Sequence, residues 1–483
     1  MCSRKLLAAL VCGFICAVVQ RPEVKAAETP PNIVFVFADD QCFETIHALG
    51  HDVVETPNLD RLVDEGLTFT DAYNQGSWSG AVCVASRTML NTGRFLWNAR
   101  RIYDESERER QAGRFWSEYL KGAGYDTYMT GKWHVRADAA KAFDVVADVR
   151  GGMPGQTPEG YNRPIDGQPD PWKPWDTKFG GYWKGGKHWS EVVGDHAVDF
   201  LDRAATRQKP FFMYLAFNAP HDPRQSPKQY VDKYPLENVK LPVNFLPEYP
   251  FKDAIGCGKG LRDERLAPFP RTPYAVKVNR REYYAIITHM DTQVGRIFNA
   301  LQESGKAQKT YVFFTADHGL AVGHHGLMGK QNLYDHSVRV PLIVCGPDVP
   351  KGKRIQTPVY LQDVMPTTLE LAGVEKPDHV QFKSLMPLIR GGADAHYGAV
   401  YGAYLALQRS VKQDGCKLIL YPALGKARLF DLNDDPHEMK DLAADPQHKP
   451  LMKRLFAALL KLQEETGDEL DLRSVYAELQ TPP

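Results

Sequence analysis

The residues best suited to chemistry lie between Cys83 and Arg94, in the sequence CVASRTMLNTGR. If a helix begins here, Cys83 and Arg87 lie one turn apart and share a face. The first turn of a helix presents free N–H groups and a partial positive charge, which favour a bound anion. Core packing is the default interpretation of a lone cysteine, and a thiolate nucleophile or a modification site are the alternatives. A cysteine protease is disfavoured because no pattern of base and orienting residue accompanies Cys83.

A second set of chemically capable residues is rich in carboxylates. Asp39, Asp40 and Asp317 offer oxygen ligands, and His318 adds an imidazole. Such a set favours a hard cation such as Ca²⁺ or Mg²⁺ over zinc. Lysine or histidine beside a metal and an anion can stabilise charge or carry a proton. The candidates for these roles are Lys132, His134, His221 and Lys330.

Four apolar segments, each typical of a buried strand, must position these residues. They cover 32–38, 126–130, 210–217 and 310–315. Polar residues follow each segment: Asp39 and Asp40, Lys132 and His134, His221, and Asp317 and His318. Strands that alternate with helices predict a mainly parallel sheet covered on both sides, and chemistry collects at the carboxyl ends of such strands. We therefore expect one site at this edge of an α/β fold.

The chain is long enough for one large and one small domain. Its pattern changes near residue 391, where short strands at 400–407, 417–421 and 427–430 precede a helix at 449–466. We predict a catalytic domain at 27–390, with a large mainly parallel sheet sandwiched by helices. Residues 391–483 are predicted to form a smaller α+β subdomain that carries an antiparallel sheet.

The N-terminal residues 1–26 have the pattern of a cleavable signal peptide. Arg4 and Lys5 precede an apolar run from Leu6 to Val19, which is short for a transmembrane helix. Removing residues 1–26 takes four of the 59 basic and one of the 59 acidic residues, which leaves a net charge of −3. This charge gives no reason to expect nucleic acid or membrane binding. We expect a secreted or periplasmic protein without integral membrane association.

These motifs together resemble the type I, formylglycine-dependent sulfatases of the alkaline phosphatase superfamily. The segment from Cys83 fits the family motif C-x-(P/A)-S-R-x-x-x-x-T-G-R, and GYDTYMTGKWH at 124–134 fits the second motif. The sequences APH at 219–221, DHG at 317–319 and LFDLNDDPHEMKDL at 429–442 also fit. The resemblance covers essentially the whole mature chain and implies an alkaline phosphatase-like fold. Local similarity is greatest to the iduronate- and choline-sulfatase-like members.

The resemblance implies a complete mechanism. A formylglycine-generating or sulfatase-maturating enzyme would oxidise Cys83 to formylglycine (3-oxoalanine) during export, and the aldehyde would be hydrated to a geminal diol. One hydroxyl, activated by Ca²⁺, would attack sulfur, and His221 with Lys330 would protonate the leaving oxygen. His134 would deprotonate the second hydroxyl to expel sulfate. Arg87 and Lys132 would neutralise the diol and sulfate oxygens. The implied metal ligands are Asp39, Asp40, Asp317, His318 and residue 83.

A sulfated glycan, desulfated by exo action, is the expected substrate of an exported enzyme of this kind. Residues 150–189 hold four of the eight tryptophans, and they indicate either a sugar-stacking platform or a tryptophan-stabilised surface loop. The candidate sugar-reading residues are Arg100, Arg101, His188, Asp222, Arg224 and His325. Two alternatives stay open: a phosphonate or phosphate monoester hydrolase of the same superfamily, and a catalytically inactive glycan-binding homologue.

Overall fold

The computed structural model describes residues 29–152, 157–183, 185–222 and 224–480. The predicted signal peptide at 1–26 lies outside these residues. Within the described chain, no helix is both long enough and apolar enough to cross a membrane.

Strands and helices alternate through most of the chain. The strands are β1 (Asn32–Asp39), β2 (Leu67–Tyr73), β3 (Gly76–Ser77), β4 (Asp126–Lys132), β5 (Val145–Arg150), β6 (Phe211–Pro220), β7 (Thr310–Ala316), β8 (Arg339–Cys345), β9 (Lys353–Ile355), β10 (Val359–Tyr360), β11 (Val400–Tyr404), β12 (Gln408–Gln413), β13 (Cys416–Tyr421) and β14 (Lys426–Asp431). The helices are α1 (Pro57–Glu65), α2 (Val82–Thr92), α3 (Leu96–Arg101), α4 (Ser106–Gln111), α5 (Trp116–Gly122), α6 (Ala139–Ala142), α7 (Trp189–Ala205), α8 (Lys228–Val231), α9 (Pro273–Glu303), α10 (Asp335–Val338), α11 (Val364–Leu371), α12 (Met386–Ile389) and α13 (Lys449–Thr466).

Within the described residues, the main sheet has nine strands in the order β10-β2-β8-β7-β1-β6-β4-β5, with β9 paired to β2. Every pairing is parallel except those of β8, which runs against β7 and β2. Helices α2, α5 and α11 pack together as one layer, whereas α1 and α7 pack on α9 in another. Because helices cover the sheet, all eight residues of β1 are buried, as its continuous apolar sequence predicts. The predicted α/β class is confirmed.

A second, smaller sheet occupies the C-terminal part of the chain in the order β14-β13-β12-β11-β3. Strands β11 to β14 are antiparallel, whereas β3 comes from the N-terminal part and pairs in parallel with β11. Gly76 in β3 has φ +96°, and a Cβ atom there would lie 1.9 Å from the carbonyl oxygen of Ala403. The small sheet therefore holds the segment that leads into Cys83.

The predicted strand at 400–407 was wrong in its extent, because the structure ends β11 at Tyr404 and starts β12 at Gln408. The sequence of β12, QRSVKQ, has few apolar residues, yet most of the strand is buried. Ion pairs make this burial tolerable: Lys412 binds Asp71 at 2.7 Å, and Arg409 binds Asp468 at 2.6 Å. Hydrophobic periodicity could not reveal such a strand.

In the described part of the chain no disulfide links the cysteines, which are Cys42, Cys83, Cys257, Cys345 and Cys416. Cys42 donates to the carbonyl oxygen of Leu320 at 2.9 Å, and Cys257 donates to that of Gln331 at 3.2 Å. Both thiols are buried and hydrogen-bonded, which is typical of structural cysteines.

We predict that Gly76→Ala separates β3 from β11 and lowers the free energy of unfolding by about 2–4 kcal/mol, because it adds a steric clash at a positive φ. Urea unfolding followed by circular dichroism measures the change. Gly80→Ala is the matched control, since the nearest atom to a Cβ there is the Tyr404 hydroxyl at 4.0 Å. Equal stability of the two variants would contradict this account of the Gly76 contact.

Candidate active site

The four strands with polar ends are neighbours in the main sheet, in the order β7-β1-β6-β4, and all run parallel. Asp39 ends β1 and Lys132 ends β4. His221 and Asp317 come directly after β6 and β7. Because carboxyl ends of parallel strands meet at one edge, the sheet brings these side chains together as predicted.

Helix α2 adds Cys83 to this edge in its first turn, where backbone N–H groups lack helical partners. The Cys83 side chain is buried, and its Sγ lies 3.1 Å from Nδ1 of His134. Arg87 follows one turn later on the same helix, as the spacing predicts. The reactive position is therefore enclosed among polar groups.

Arg87 connects three elements of the site although it is fully buried. Its Nε donates to Oδ2 of Asp317 at 2.9 Å, and its Nη1 donates to the carbonyl oxygen of Lys132 at 2.8 Å. The guanidinium also lies over the ring of Phe37, 4.6 Å from its centroid. The Arg87 side chain thus fixes the relative positions of α2, β4 and β7.

The two buried lysines pair with the adjacent aspartates of the β1 end. Lys132 donates to Asp39, and Nζ of Lys330 lies 2.8 and 2.6 Å from the two carboxylate oxygens of Asp40. Burial and repulsion from Asp39 and Asp317 raise the pKa of Asp40 to about 7. The positive charges of His221 and Lys330 lower this pKa, but they do not cancel the increase. Such repulsion among buried carboxylates favours a further cation.

The residues present fit a hard divalent cation. Among the residues that the structure describes, two groups of potential ligands have donor atoms within 4.8 Å of one another: Asp39, Asp40 and His221, and Asp39, Cys83 and Asp317. Within the described chain, Oδ1 of Asp39 is buried without a hydrogen-bond partner. Carboxylate oxygens suit Ca²⁺ or Mg²⁺. The donor set and the unpartnered oxygen both favour a cation of this kind.

His318 lies outside these two groups of ligands. Its ring is buried, and its Nδ1 donates to the carbonyl oxygen of Gly319 at 3.1 Å. This bond leaves Nε2 with a free lone pair. Burial, with the nearby charge of Lys330, lowers the pKa of His318 to about 3, so the ring is neutral, as metal binding requires.

Asp40 and His134 have left-handed backbones, with φ of 68° and 53°, which cost energy for residues other than glycine. Surrounding hydrogen bonds hold Asp40 in this conformation. Its N–H donates to Oδ1 of Asp317 at 3.1 Å, and the Tyr283 hydroxyl donates to its carbonyl oxygen at 2.6 Å. The left-handed conformations turn the chain at the ends of β1 and β4, so that Asp40 and His134 belong to the site.

His134 lies where it could accept a proton from a group at residue 83. Burial, followed by the positive charges of Lys132 and Arg87, lowers the pKa of His134 to about 3. Its ring is therefore neutral over the physiological pH range. Nδ1 faces Cys83 at 3.1 Å, so a proton from a group at residue 83 could be accepted there.

His221 has a different environment, with acidic groups on both sides of its ring. Nδ1 lies 2.8 Å from Oδ1 of Asp222, and Nε2 lies 3.5 Å from Oδ2 of Asp40. The Tyr161 hydroxyl donates to Asp222 at 2.6 Å. Burial raises the pKa of the Asp222 carboxyl, but the charges of His221 and Arg262 outweigh it and hold that pKa well below its usual value. The Asp222 carboxylate is thus placed to orient His221, and its predicted contact with a sugar stays a prediction.

The other predicted sugar-reading residues do not form one group. His188 uses both ring nitrogens within the fold, as Nδ1 accepts from Ser190 at the start of α7 and Nε2 donates to the carbonyl oxygen of Gln225. His325 stacks on Tyr334 with ring centroids 4.0 Å apart. These contacts favour structural roles for His188 and His325.

The three predicted arginines differ in exposure. Arg100 and Arg101 lie on α3 and line a cavity of about 510 Å³ with Trp78 and Trp97, and Arg101 pairs with Glu469. Arg224 is buried and donates from Nη1 to Asn279 at 3.0 Å.

The tryptophan-rich segment packs on itself instead of presenting a flat platform. Trp172 is buried and stacks on Phe179 at 4.8 Å between centroids. Trp183 and Trp189 lie against the guanidinium of Arg150, at 3.5 and 4.3 Å from their ring centroids. Of the two interpretations, these contacts favour the tryptophan-stabilised loop.

Two residues that sequence reasoning did not identify complete the site. Arg262 approaches Nε2 of His221 to 3.5 Å, and Asp263 accepts from Nε2 of Gln331, beside Lys330. Both lie in the irregular stretch between α8 and α9, where the sequence has no periodicity to place them. The only local signal is the polar sequence RDE after the glycine-rich stretch GCGKG.

The fold is an α/β fold with a mainly parallel sheet, and its carboxyl edge places the buried cations Arg87 and Lys132 together with Cys83. In a comparison with protein families, residues 31–374 match the sulfatase family, and residues 323–465 match the C-terminal region of N-sulphoglucosamine sulphohydrolase. The chain therefore belongs to the sulfatase family and is a sulfuric ester hydrolase.

Similar proteins extend over nearly the whole chain. An arylsulfatase of Clostridium perfringens is 29% identical, with 89% of this chain and 94% of that protein covered. An N-acetylglucosamine-6-O-sulfatase of Bacteroides thetaiotaomicron is 25% identical over 94% and 89% of the two chains. The fold resembles that of a protein solved with its substrate D-glucosamine-2-N,6-O-disulfate, at a TM-score of 0.72 and 22% identity, covering 92% of this chain and all of that one. It also resembles a phosphonate monoester hydrolase of Agrobacterium radiobacter, at a TM-score of 0.71 and 20% identity, covering 90% and 96%.

We predict that Asp222→Asn lowers kcat by about 10²- to 10⁴-fold, because His221 loses the carboxylate that orients it for proton transfer. Steady-state hydrolysis of a sulfated sugar measures the loss. Tyr161→Phe is the control, since it removes only one hydrogen bond to Asp222 and should cost no more than about tenfold. Equal losses in the two variants would contradict the orienting role of Asp222.

Proposed function

We propose that the protein removes sulfate from a sulfated glycan, by exo action, with a formylglycine derived from Cys83 and a bound calcium ion. The observation that carries this proposal is the position of Cys83. It lies in the first turn of α2, beside a neutral histidine and next to the buried aspartates. The named activities of the relatives support sulfated carbohydrates as the substrate class.

The cofactors fit the residues around Cys83. When present, the hydrated formylglycine supplies a hydroxyl nucleophile, and Ca²⁺ supplies Lewis acidity and neutralises charge. The proposed metal ligands are Asp39, Asp40, Asp317, His318 and residue 83. The unpartnered Oδ1 of Asp39 and the mutual repulsion of the aspartates support this assignment.

Some residues of the protein then stabilise charge, and others transfer protons. Arg87 and Lys132 supply fixed positive charges for the sulfate oxygens. His134, being neutral, accepts the proton at residue 83. His221, oriented by Asp222, donates a proton to the leaving oxygen. Lys330 is held by both oxygens of Asp40, so its proposed contribution is a positive charge, and the proton donor is His221.

The second candidate function is hydrolysis of phosphonate or phosphate monoesters. Its support is the fold similarity to the Agrobacterium radiobacter phosphonate monoester hydrolase. A multifunctional alkaline phosphatase superfamily protein of Trinickia caryophylli is also 28% identical over 83% of this chain and 88% of that one. Both ester types present a tetrahedral anion to the same cations, so direct assay must separate them.

Export, maturation and domain division complete the proposal. The signal pattern at 1–26 supports a secreted or periplasmic enzyme, which would meet a formylglycine-generating or sulfatase-maturating enzyme during export. We divide the mature chain into a catalytic domain at 27–390 and a C-terminal subdomain at 391–483. The pairing of β3 with β11 means that the two parts share a sheet.

We predict that the purified protein hydrolyses nitrophenyl sulfate with a higher kcat/KM than nitrophenyl phosphate or a nitrophenyl phosphonate ester. The reason is that the proposed proton donor and fixed cations suit a sulfate monoanion, whereas a phosphate dianion adds repulsion from the buried carboxylates. Release of nitrophenol measures all three rates in one assay. A preference for either phosphorus ester would overturn the sulfatase proposal.

We also predict that EGTA treatment lowers both activity and the melting temperature, because removal of the cation leaves the buried aspartates to repel one another. Re-addition of Ca²⁺ should restore both properties. Differential scanning fluorimetry and sulfate release report the two effects separately. Full activity and an unchanged melting temperature after exhaustive chelation would contradict the proposed calcium site.

A further inference from the structure

Arg262 occupies a position that the reaction described above does not use. Its Nη2 lies 3.5 Å from Nε2 of His221 and 3.8 Å from the Asp222 carboxylate. Asp222 holds Nδ1 of His221 at 2.8 Å, so Nε2 is the nitrogen left to protonate the leaving oxygen, and we expect the sugar that carries this oxygen beside Arg262. The arginine therefore lies beside the nitrogen that is proposed to face the departing alcohol.

The orientation of the Arg262 guanidinium is fixed from one side. Nε and Nη2 both donate to Oδ1 of Asp263, at 2.8 and 2.5 Å. Asp263 is buried and is held in turn by Gln331, which donates to its Oδ2 at 2.6 Å. This arrangement preorganises the arginine, so little side-chain entropy would be lost when a ligand binds.

The opposite edge of the same guanidinium is open. Among the residues that the structure describes, Nη1 of Arg262 has no hydrogen-bond acceptor. The Arg262 side chain is 28% exposed, whereas that of His221 is 2% exposed. A preorganised arginine with a solvent-facing donor edge is well suited to a carboxylate or a sulfate.

We propose that Arg262 forms a subsite for a second anionic group of the substrate, a carboxylate or a further sulfate on the sugar that holds the scissile ester. This inference rests on the proposed sulfatase function and adds selectivity to it. The protein would then discriminate in favour of sugars that carry two negative charges. Its preferred substrate would be a sulfated uronic acid or a disulfated hexosamine, and a simple monosulfate would bind more weakly.

The test uses hexose monosulfates in matched pairs, with and without a uronic carboxylate or a second sulfate on the same ring. The wild-type enzyme should favour the doubly charged member of at least one pair by about 10- to 100-fold in kcat/KM, as a charge-assisted hydrogen bond implies. Arg262→Gln should reduce this preference to about threefold or less, mainly through a higher KM for the doubly charged member.

Two further variants separate this role from a structural one. Arg262→Lys retains a positive charge beside Asp263 but loses the second donor edge, so it should fold normally and still lose most of the preference. Arg265→Gln is the matched control, because it removes the same charge from an exposed position of the same segment. It should leave the preference unchanged.

Each remaining outcome overturns a distinct claim. Sulfate release without any preference for a second anion would overturn the Arg262 subsite and leave the sulfatase proposal standing. Equal losses on both members of every pair in Arg262→Gln and Arg262→Lys would show that Arg262 acts only through His221 or Asp263. Absence of sulfate release from every sugar and from nitrophenyl sulfate would overturn the proposed function itself.

Discussion

Burial of opposite charges at the carboxyl edge of the main sheet is the constraint on which the site depends. Asp39, Asp317, Arg87 and Lys132 are fully buried there, and removing such charges from water is costly unless each has a partner. Arg87 meets this requirement by binding Asp317 and the β4 carbonyl oxygen, and Lys132 does so by binding Asp39. Each partner comes from a different element, so the pairs also fix the geometry around residue 83. An anion and a metal ion would complete the balance of charges.

The C-terminal sheet contributes to the site through packing. Its strand β11 pairs with β3, and β3 precedes Cys83 by a short loop. The same core that encloses Leu418 and Phe456 also encloses Val84 and Met89 of α2. Helix α2 is therefore packed between the two sheets. This packing explains why Cys83, in the first turn of α2, is buried and held in one position. The pairing of β3 with β11 also attaches the proposed C-terminal subdomain to the proposed catalytic domain.

Strands and helices with a clear apolar run or a clear hydrophobic periodicity were predicted correctly from the sequence. Strand β1 is a continuous apolar run, and α13 follows the boundaries expected from its periodicity. Most of the proposed catalytic residues could be found from the sequence, because they follow the ends of four predicted strands. Parallel strands bring their carboxyl ends to one edge of the sheet. Strand β12 was not predicted, since its burial depends on distant partners of Arg409 and Lys412. Arg262 was not identified for a similar reason: contacts with Asp263 and His221 place it, and the irregular segment around it has no period.

In the proposed reaction, residue 83 acts as formylglycine and not as a thiol. The most direct measurement is peptide mass spectrometry of the tryptic fragment at 62–87, on protein produced with a formylglycine-generating enzyme, with sulfate release assayed on the same samples. The fragment should be about 18 Da lighter than the cysteine form, because the thiol is replaced by an aldehyde. Activity should be in proportion to the converted fraction. Full sulfatase activity in protein whose residue 83 is entirely unmodified cysteine would contradict the account.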